Sequence, residues 1–468
     1  MNELESILDL SRDYSDIIND LSEKKINVPS WEVLRKLYNR DEHAILFDTT
    51  SRKDKNIDGD IHKASRQTVG FEKLLCKRLT EFEFALPIVR EYSNLEDNQT
   101  RKDIANAIEK IFDVARINSH NIKRGLAYNA SCEIFTLWYT VKKDHNLYGF
   151  NAKYKLKCVT YSAKDGVLFY PYLDSKGDLL AISLKYSKVI GKDTIEYFDT
   201  YTADNLYKWS RKEGQNIWEL ENEPIEVMIG KIPGIYKYTD ECFYQDISPM
   251  REEIEYKISE SSDVISYNAS PILKVSGTLI GEEPKGETRK IYQVENGGDI
   301  SYVSWNQSQD AVTSHINRCI DLIFMQTQMP DISYAKMVGL GNIGYDARQT
   351  VFMDTYLKVN DEQGEWIEFF DREVNVVKAF LKKLKLAWAN EVDNVVVTVK
   401  MTPYNMKSIS ESIKTMMDAN GGKPLLSQEE SIQMSGISTD PEETLRKINE
   451  EADKEIEQQG KKINNLFQ

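Results

Sequence analysis

The residues whose spacing comes closest to a chemical motif are Gly339, Gly341 and Gly344, which form a GxGxxG sequence. Such a sequence binds a dinucleotide phosphate when it joins a buried strand to a helix. Here it follows a helix stop at Pro330 and Asp331, and no βαβ pattern surrounds it. We therefore expect a glycine loop at this place rather than a cofactor site.

A second candidate is the pair His315 and Cys319, which lie four residues apart on a predicted helix and so share a face. A structural or catalytic metal site needs three or four ligands, and no other His or Cys is near in sequence. The remaining histidines are scattered: His43, His62, His120 and His145. No hydrolase, zinc-protease, P-loop or EF-hand spacing occurs. We expect a packed helix pair, with no metal, no cofactor and no catalytic residue.

Charge excludes a further class of function. The 468 residues carry 60 Lys and Arg against 75 Asp and Glu, a net charge of −15, which argues against a protein that coats nucleic acid. The only basic cluster on a predicted helix is Lys378, Lys382, Lys383 and Lys385. We interpret it as the solvated side of an amphipathic helix rather than a phosphate contact.

Composition predicts a folded chain of two to four domains, since 41% of residues are hydrophobic and single cores stop growing well below this length. The five cysteines are widely spaced without a CxxC, so neither a disulfide frame nor a zinc ribbon is indicated. No apolar run approaches the roughly 18 residues of a membrane span, and we expect no membrane partner.

Helical periodicity dominates the first 130 residues, with an interruption at 41–70. That interruption carries almost no periodicity, and we expect a mobile loop or hinge there. From 131 to about 230, short runs rich in β-branched and aromatic residues alternate with turn signals. This pattern predicts an antiparallel β-rich block.

Two amphipathic helices are predicted next, at about 248–268 and 307–328, and they bracket a small strand-rich insertion with turns at GEEPKGE and ENGGD. Residues 351–390 then predict a short helix, a polar break at KVNDEQGE and a long helix. A single strand, NVVVTVKM, precedes short C-terminal helices that end in the acidic run DPEETLRKINEEADKEIE.

The order of these elements resembles the portal proteins of tailed bacteriophages. The similar segments are GLAYNASCEIFTLWY, YSAKDGVLFYPYLDSKGDLLAISLKY, GKIPGIYKY, the helix pair around the β insertion, and the terminal LLSQEESIQMSGISTDPEETLRKINEEADKE. The resemblance runs from about residue 30 to 458. Its strength lies in the order and spacing of the segments, because each one alone is loose.

The resemblance implies an α+β portal fold. Its parts are a wing in 1–247 (helices to about 130, β-rich block about 131–230), stem helices in 248–270 and 306–329, a clip in 271–305, a tunnel loop, long wing helix and return strand in 330–404, and a crown with an acidic tail in 405–468. Portals of this type often have a Ser-Gly step after the second stem helix. This chain reads NIGYDARQTVF there, so the tunnel loop falls anywhere between Asn342 and Gly364.

It also implies function and partners. Identical subunits, typically twelve, would form a ring at one capsid vertex in the virion, after assembly in the host cytoplasm. Double-stranded DNA would pass through the channel, and the large terminase, the head-tail adaptor, and the major capsid and scaffolding proteins would bind outside it. A ring of twelve would carry a charge of −180, which suits a wall that repels DNA rather than holding it.

Candidate site residues follow from these positions. The channel candidates are Asn342, Lys358, Asn360 and Gln363. The clip docking candidates are Glu282, Glu283, Lys285 and Glu287. The subunit-interface candidates on the stem are Ile254, Ile258, Ile316, Ile320 and Phe324, whose apolar stripes we expect to be under-packed in a single chain.

Two alternatives remain open at this point. One is a soluble scaffold or adaptor that binds its partner through the acidic residues of 405–468. The other is an enzyme that binds a phosphate ligand through the glycine loop 339–344.

Overall fold

The computed structural model describes residues 3–23, 26–57, 60–95, 98–268, 272–277, 279–284, 290–294, 299–303, 309–333, 336, 338, 350–404, 409–420, 426–435, 438 and 443–454. Helix and strand are both major components of these residues, which confirms the expected α+β class.

The helices of the described residues are α1 (Glu3–Ile7), α2 (Tyr14–Leu21), α3 (Trp31–Tyr38), α4 (Ala44–Phe47), α5 (Phe71–Phe84), α6 (Gln99–Ala115), α7 (Ile117–Ser131), α8 (Ser248–Asn268), α9 (Gln309–Gln326), α10 (Met353–Leu384), α11 (Ile409–Asn420) and α12 (Gln428–Ser435). Residues 443–454 are also helical.

The strands are β1 (Lys55–Ile57), β2 (Asp60–His62), β3 (Val89–Ser93), β4 (Glu133–His145), β5 (Ala152–Ser162), β6 (Leu168–Leu173), β7 (Leu179–Ile190), β8 (Asp193–Thr202), β9 (Asn205–Lys212), β10 (Glu219–Leu220), β11 (Ile225–Glu226), β12 (Gly234–Tyr238), β13 (Ile272–Ser276), β14 (Leu279–Pro284), β15 (Lys290–Val294), β16 (Asp299–Val303) and β17 (Val396–Lys400).

Two antiparallel sheets stack in the stretch 98–268, as the β-rich pattern predicts. The smaller sheet has the order β12-β4-β5, and the larger has the order β10-β9-β8-β7-β6 with β11 also paired to β9. Phe135 and Tyr236 of the smaller sheet pack with Phe169 and Tyr201 of the larger. Alternate residues of a strand point to opposite faces, so these contacts leave one further face on each sheet to be covered.

Helices cover both of those faces. On the larger sheet, Phe198 and Trp209 pack with Ile17 and Leu21 of the N-terminal helix α2. On the smaller sheet, Trp138 belongs to the largest core cluster, which also includes residues of α5, α6, α7 and α10. The order of layers is therefore N-terminal helices, larger sheet, smaller sheet and central helices.

Sharp chain reversals connect the central helices to the smaller sheet. Arg116 lies in the left-handed region with φ of 55° and separates α6 from α7. Cys132, with φ of 61°, ends α7, and β4 begins at the next residue. Residues other than glycine rarely adopt this conformation, so the packing on both sides of each turn must hold it.

The polar break expected at KVNDEQGE is wrong, because α10 runs without interruption from Met353 to Leu384. The buried residues Thr355, Val359 and Trp366 continue one face of the helix through the polar stretch. A single apolar residue per turn keeps that face on the core. Residues 353–364 are consequently helix and not part of a loop.

The interpretation of residues 41–70 as a mobile loop or hinge stays a prediction, although the described part of this stretch contains helix α4 and strands β1 and β2. Polar contacts to α8 hold this segment at several points. Ser65 N donates to Asp263 Oδ1 at 2.8 Å, Gln67 N donates to Ser259 Oγ at 2.9 Å, and Arg52 pairs with Asp263. We call residues 48–69 the strap.

Helices α8 and α9 bracket two short antiparallel pairs, β13 with β16 and β14 with β15. The predicted helix of 248–268 agrees with α8 in both bounds. The predicted helix of 307–328 extends two residues beyond the end of α9, and its first two residues lie outside the described residues. The chain divides into two compact units. One contains residues 1–339 and 351–404, and the other contains 340–350 and 405–468. Helices α11 and α12 belong to the second unit.

Candidate functional site

The stem candidates pack into their own chain more fully than expected. Ile254 is 1% exposed within the largest core cluster. The other four, Ile258, Ile316, Ile320 and Phe324, are half-buried against the same cluster. The expectation of under-packed stripes is therefore wrong for Ile254, because the core below α8 already covers it. Exposed apolar side chains occur instead near the ends of the helices, at Ile265 and Met325.

Helices α8 and α9 meet through the pair that was considered for metal binding. His315 Nε2 lies 3.2 Å from Glu253 Oε1 across the two helices, and 3.9 Å from the sulfur of Cys319. Among the described residues, no three His, Cys, Asp or Glu side chains converge as metal ligands would. The packed helix pair is the interpretation that the structure supports.

Three of the channel candidates lie on α10, so they are helical rather than in a loop. Lys358 Nζ lies 3.6 Å from Glu362 Oε1 and 5.1 Å from the centre of the Phe243 ring. Gln363 donates to the Met401 carbonyl at 2.6 Å. Asn360 is exposed, whereas Lys358 and Gln363 have partners within the chain. Asn342, like the glycines of 339–344, lies outside the described residues.

Two of the clip candidates lie on β14, where Glu282 is opposite Tyr292 and Glu283 is opposite Ile291 on β15. The register shifts between Leu279 and Gly281, which marks a bulge in this pair. Lys285 and Glu287 lie outside the described residues. The structure thus brings Glu282 and Glu283 onto one strand of the β insertion.

A buried ionic cluster at α8 was not predicted from the sequence. Arg251 donates from Nε to Glu72 at 2.9 Å and from Nη1 to Glu255 at 3.1 Å. His43 Nδ1 lies 2.6 Å from the same Glu255 carboxylate. Its Nε2 faces the Leu37 carbonyl at 2.9 Å, so Nε2 carries a proton. All four side chains are buried, and each charge has an opposite charge beside it.

Burial and the ion pair with Arg251 have opposite effects on the pKa of Glu72. Removal from water raises the pKa of this carboxyl, and the Arg251 guanidinium counteracts part of that rise. The Val69 amide also donates to Glu255, at 3.0 Å, so the end of the strap joins the cluster. The only sequence signal was the spacing of Arg251 and Glu255 by four residues on one helix.

A second buried group fixes α10 to the central helices. Arg124 Nη1 and Trp138 Nε1 both donate to Glu373 Oε1, at 3.1 and 3.0 Å. Two helical turns before Glu373 on α10, Trp366 Nε1 donates to Glu83 Oε1 at 3.0 Å. These contacts set the position of the long helix against α5, α7 and β4.

The lysine cluster of α10 has partners within the chain. Lys378 Nζ donates to the Val395 carbonyl at 2.5 Å, and Lys382 pairs with Asp393 at 2.5 Å. Lys385 Nζ lies 3.8 Å from the centre of the Trp388 ring. Burial lowers the pKa of Lys378. These three lysines are half-buried and connect the end of α10 to the segment before β17, so the interpretation of a solvated helix side is wrong for them.

One cleft, of about 620 Å³, lies between β12 and α10. Four of its charged groups pair with each other: Lys237 with Glu365, and Arg372 with Glu368. The Lys237 ammonium also lies 4.6 Å from the centre of the Tyr128 ring. Elsewhere, all five cysteines are buried and none of them forms a disulfide. Among the described residues, none of the helices is long and apolar enough to cross a membrane.

Two chains of solved structures are similar to this chain. A chain from the neck of an empty GTA particle is similar at 10% identity with a TM-score of 0.42, covering 84% of this chain and 93% of the other. A chain from the virion of a native gene transfer agent particle is similar at 10% identity with a TM-score of 0.36, covering 91% and 99%. No curated protein matches.

The sequence model of one family extends over almost the whole chain. It is described as phage portal protein, SPP1 Gp6-like, and it matches residues 19–458. That range includes both sheets, the helix pair with its β insertion, the long helix and the C-terminal helices. The protein is therefore a member of the phage portal protein family.

Proposed function

We propose that the portal ring of this protein is the channel for packaging and ejection of double-stranded DNA. The family match over residues 19–458 carries this proposal. Portal proteins are structural proteins, and we assign no catalytic role to this chain. The ring would occupy a unique capsid vertex of the virion, in contact with major capsid and scaffolding proteins, after assembly in the host cytoplasm.

Each part of the chain has a proposed place in that ring. Residues 1–247 form the wing, and α8 and α9 form the stem. Residues 271–305 form a clip that binds the large terminase and later the head-tail adaptor. The tunnel loop lies before Met353, since the residues that follow are helical. Residues 405–468 form the crown, and α10 with β17 returns to the wing.

The packing of α8 and α9 supports this division. One end of the helix pair is fixed by the buried cluster around Arg251 and Glu255, and the other end carries the β insertion. The strap contacts α8 as far as Asp263, so the pair can present the insertion beyond this anchored part. Of the channel candidates, Asn360 is exposed, whereas Lys358 is paired with Glu362. We therefore favour Asn360 over Lys358 as a residue that reaches DNA.

Analytical ultracentrifugation and negative-stain microscopy of the purified protein test the ring. We expect closed rings with a central hole, of a mass that is a multiple of 54.0 kDa. A protein that stays monomeric at every concentration and salt tested would contradict the proposal.

The clip has its own test. Reversing the charges of Glu282 and Glu283 is expected to leave ring assembly intact and to abolish DNA packaging or tail joining. The matched control is reversal of Glu252 and Glu260, two exposed carboxylates on α8. Infectious particles at the wild-type yield from the Glu282 and Glu283 variant would refute the assignment of this segment.

A further inference from the structure

The distal part of the β4–β5 hairpin is a basic surface on an acidic protein. Residues 139–157 contain five lysines and one aspartate. The lysines are Lys142, Lys143, Lys153, Lys155 and Lys157. Lys155 is opposite Val141 and Lys157 is opposite Tyr139, so these four side chains share one face of the hairpin. Tyr139 is 39% exposed and Val141 is 37% exposed. We call these residues the basic hairpin.

The five lysines of the basic hairpin outnumber its single carboxylate, Asp144. No carboxylate of the described residues lies within ion-pair distance of any of its five lysines, although the neighbouring larger sheet pairs Lys185 and Arg211 with Glu196 and Lys212 with Asp193. Five like charges held on two strands repel one another. A partner that supplies negative charge would relieve that repulsion.

The N-terminal helices carry the opposite charge. Residues 3–23 contain seven carboxylates and one arginine, a net charge of −6. Arg12 pairs with Asp20 at 2.7 Å. Asp16 and Asp20 are exposed and lie four residues apart on the outer side of α2, and the exposed Glu23 follows just after the helix ends. The buried residues Ile17 and Leu21 hold the inner side on the larger sheet. We call residues 3–23 the acidic layer.

The two surfaces lie on opposite sides of the larger sheet. The acidic layer covers one face of that sheet, and the smaller sheet, which bears the basic hairpin, covers the other. A cyclic ring is built from head-to-tail contacts, in which one side of a subunit meets the opposite side of the next. Resting on the proposed ring function, we propose that the basic hairpin of each subunit binds the acidic layer of its neighbour.

Charge exchange between the two surfaces tests this pairing. One variant is K153E/K155E/K157E, and the other is D16K/D20K/E23K. At 150 mM salt, each is expected to raise the subunit concentration for half-maximal ring assembly about tenfold or more, since three attractive pairs become repulsive. The variant with all six changes is expected to recover most of the wild-type assembly. An equimolar mixture of the two three-fold variants should also recover assembly, because in a ring where the two variants alternate every contact joins a basic surface to an acidic one.

Circular dichroism and thermal melting of each variant establish that the fold is retained. The matched control, K102E/K123E/K176E, reverses three exposed lysines outside the basic hairpin and should assemble as the wild type does. Rings of the wild type should weaken as salt rises from 50 to 500 mM, because ions screen exposed charges.

Three results would overturn the pairing. The first is wild-type assembly by both three-fold variants, and the second is no recovery in the six-fold variant. The third is unchanged assembly of the hairpin variant together with loss of binding to a 30-base-pair duplex, which would make DNA the occupant of the basic hairpin. If the wild type forms no rings under any condition, the proposed ring function fails instead, and this outcome is distinct from the other three.

Discussion

Buried charges hold the long helix α10 in this protein. Glu373 is fully buried, and its Oε1 accepts hydrogen bonds from Arg124 and Trp138. A buried ion pair adds little to stability compared with an apolar replacement of both partners. Removing one partner is different, because the other charge stays in the core without compensation.

Replacing Glu373 with Ala is therefore expected to lower the free energy of unfolding by about 3–5 kcal/mol. The neighbouring exposed pair Glu368 and Arg372 gives a matched control on the same helix, and Glu368→Ala should cost less than about 1 kcal/mol. Urea unfolding of both variants measures the difference. Equal losses of unfolding free energy in the two variants would show that the buried pair contributes no more to stability than the exposed pair.

A second buried carboxylate predicts a dependence on pH. Burial raises the pKa of Glu83 to about 8, with the nearby Glu362 carboxylate adding to the rise. Between about pH 4.5 and 8, the folded chain therefore holds a proton at Glu83 that the unfolded chain has lost. Folding stability contributed by this group falls as pH increases through that window and is constant above it.

Glu83→Gln removes this titration. The free energy of unfolding of the variant, measured relative to the wild type, is expected to increase by roughly 1 kcal/mol per pH unit between pH 5 and 8. Urea unfolding at four pH values checks this. Glu81→Gln, an exposed change on the same helix, is the control. A difference between Glu83→Gln and the wild type that does not change with pH would contradict the assignment.

At the level of elements, the strap depends on contacts that lie far apart in sequence. Asp263 accepts from Ser65 N, 198 residues before it, and pairs with Arg52, 211 residues before it. The described residues of the strap form no helix and only the short strands β1 and β2, so the position of the strap depends on these polar contacts. Local opening of such a segment costs less than global unfolding.

Asp263→Ala is expected to release the strap while leaving the core intact. Trypsin should then cut at Arg52, Lys63 or Arg66 at least several-fold faster than in the wild type, with a change in unfolding free energy below about 2 kcal/mol. Glu260→Ala, which removes a more exposed partner of Lys257 on the same helix, should leave the cleavage rate unchanged. Mass spectrometry of the fragments locates the cut. Wild-type cleavage kinetics in Asp263→Ala would show that these contacts do not hold the strap.

These elements show what the sequence could and could not predict. The bounds of α8 were predicted because its apolar residues recur at helical spacing and Pro271 follows. The continuity of α10 was missed, since Val359 is the only apolar residue within KVNDEQGE and its burial depends on the tertiary fold. The buried cluster of Arg251, Glu255, Glu72 and His43 was missed for the same reason: its members come from distant segments.

At the scale of the molecule, the order of layers follows from three apolar clusters. Every buried member of those clusters lies between Leu8 and Met401. The family and its function were recognisable from the order of segments along the chain, whereas the placement of acidic and basic surfaces on opposite sides of the larger sheet required the structure. The length of the chain suggested two to four domains, and the structure divides the chain into two compact units.

This distribution of the core predicts how the chain responds to truncation. A chain ending at Tyr404 retains every buried member of the three clusters. We therefore expect its urea midpoint to lie within about 0.3 M of that of the full-length protein. At ordinary denaturant slopes this is a difference in unfolding free energy below about 1 kcal/mol.

A chain ending at Lys385 is the matched comparison. It loses β17, which pairs with β3, and it loses the buried Trp388, Val392, Val395 and Val399. Its midpoint should fall by several times that amount, because each buried side chain lost from a core costs about 2–5 kcal/mol. Equal losses in the two truncated chains would show that residues 405–468 contribute to the core as β17 does.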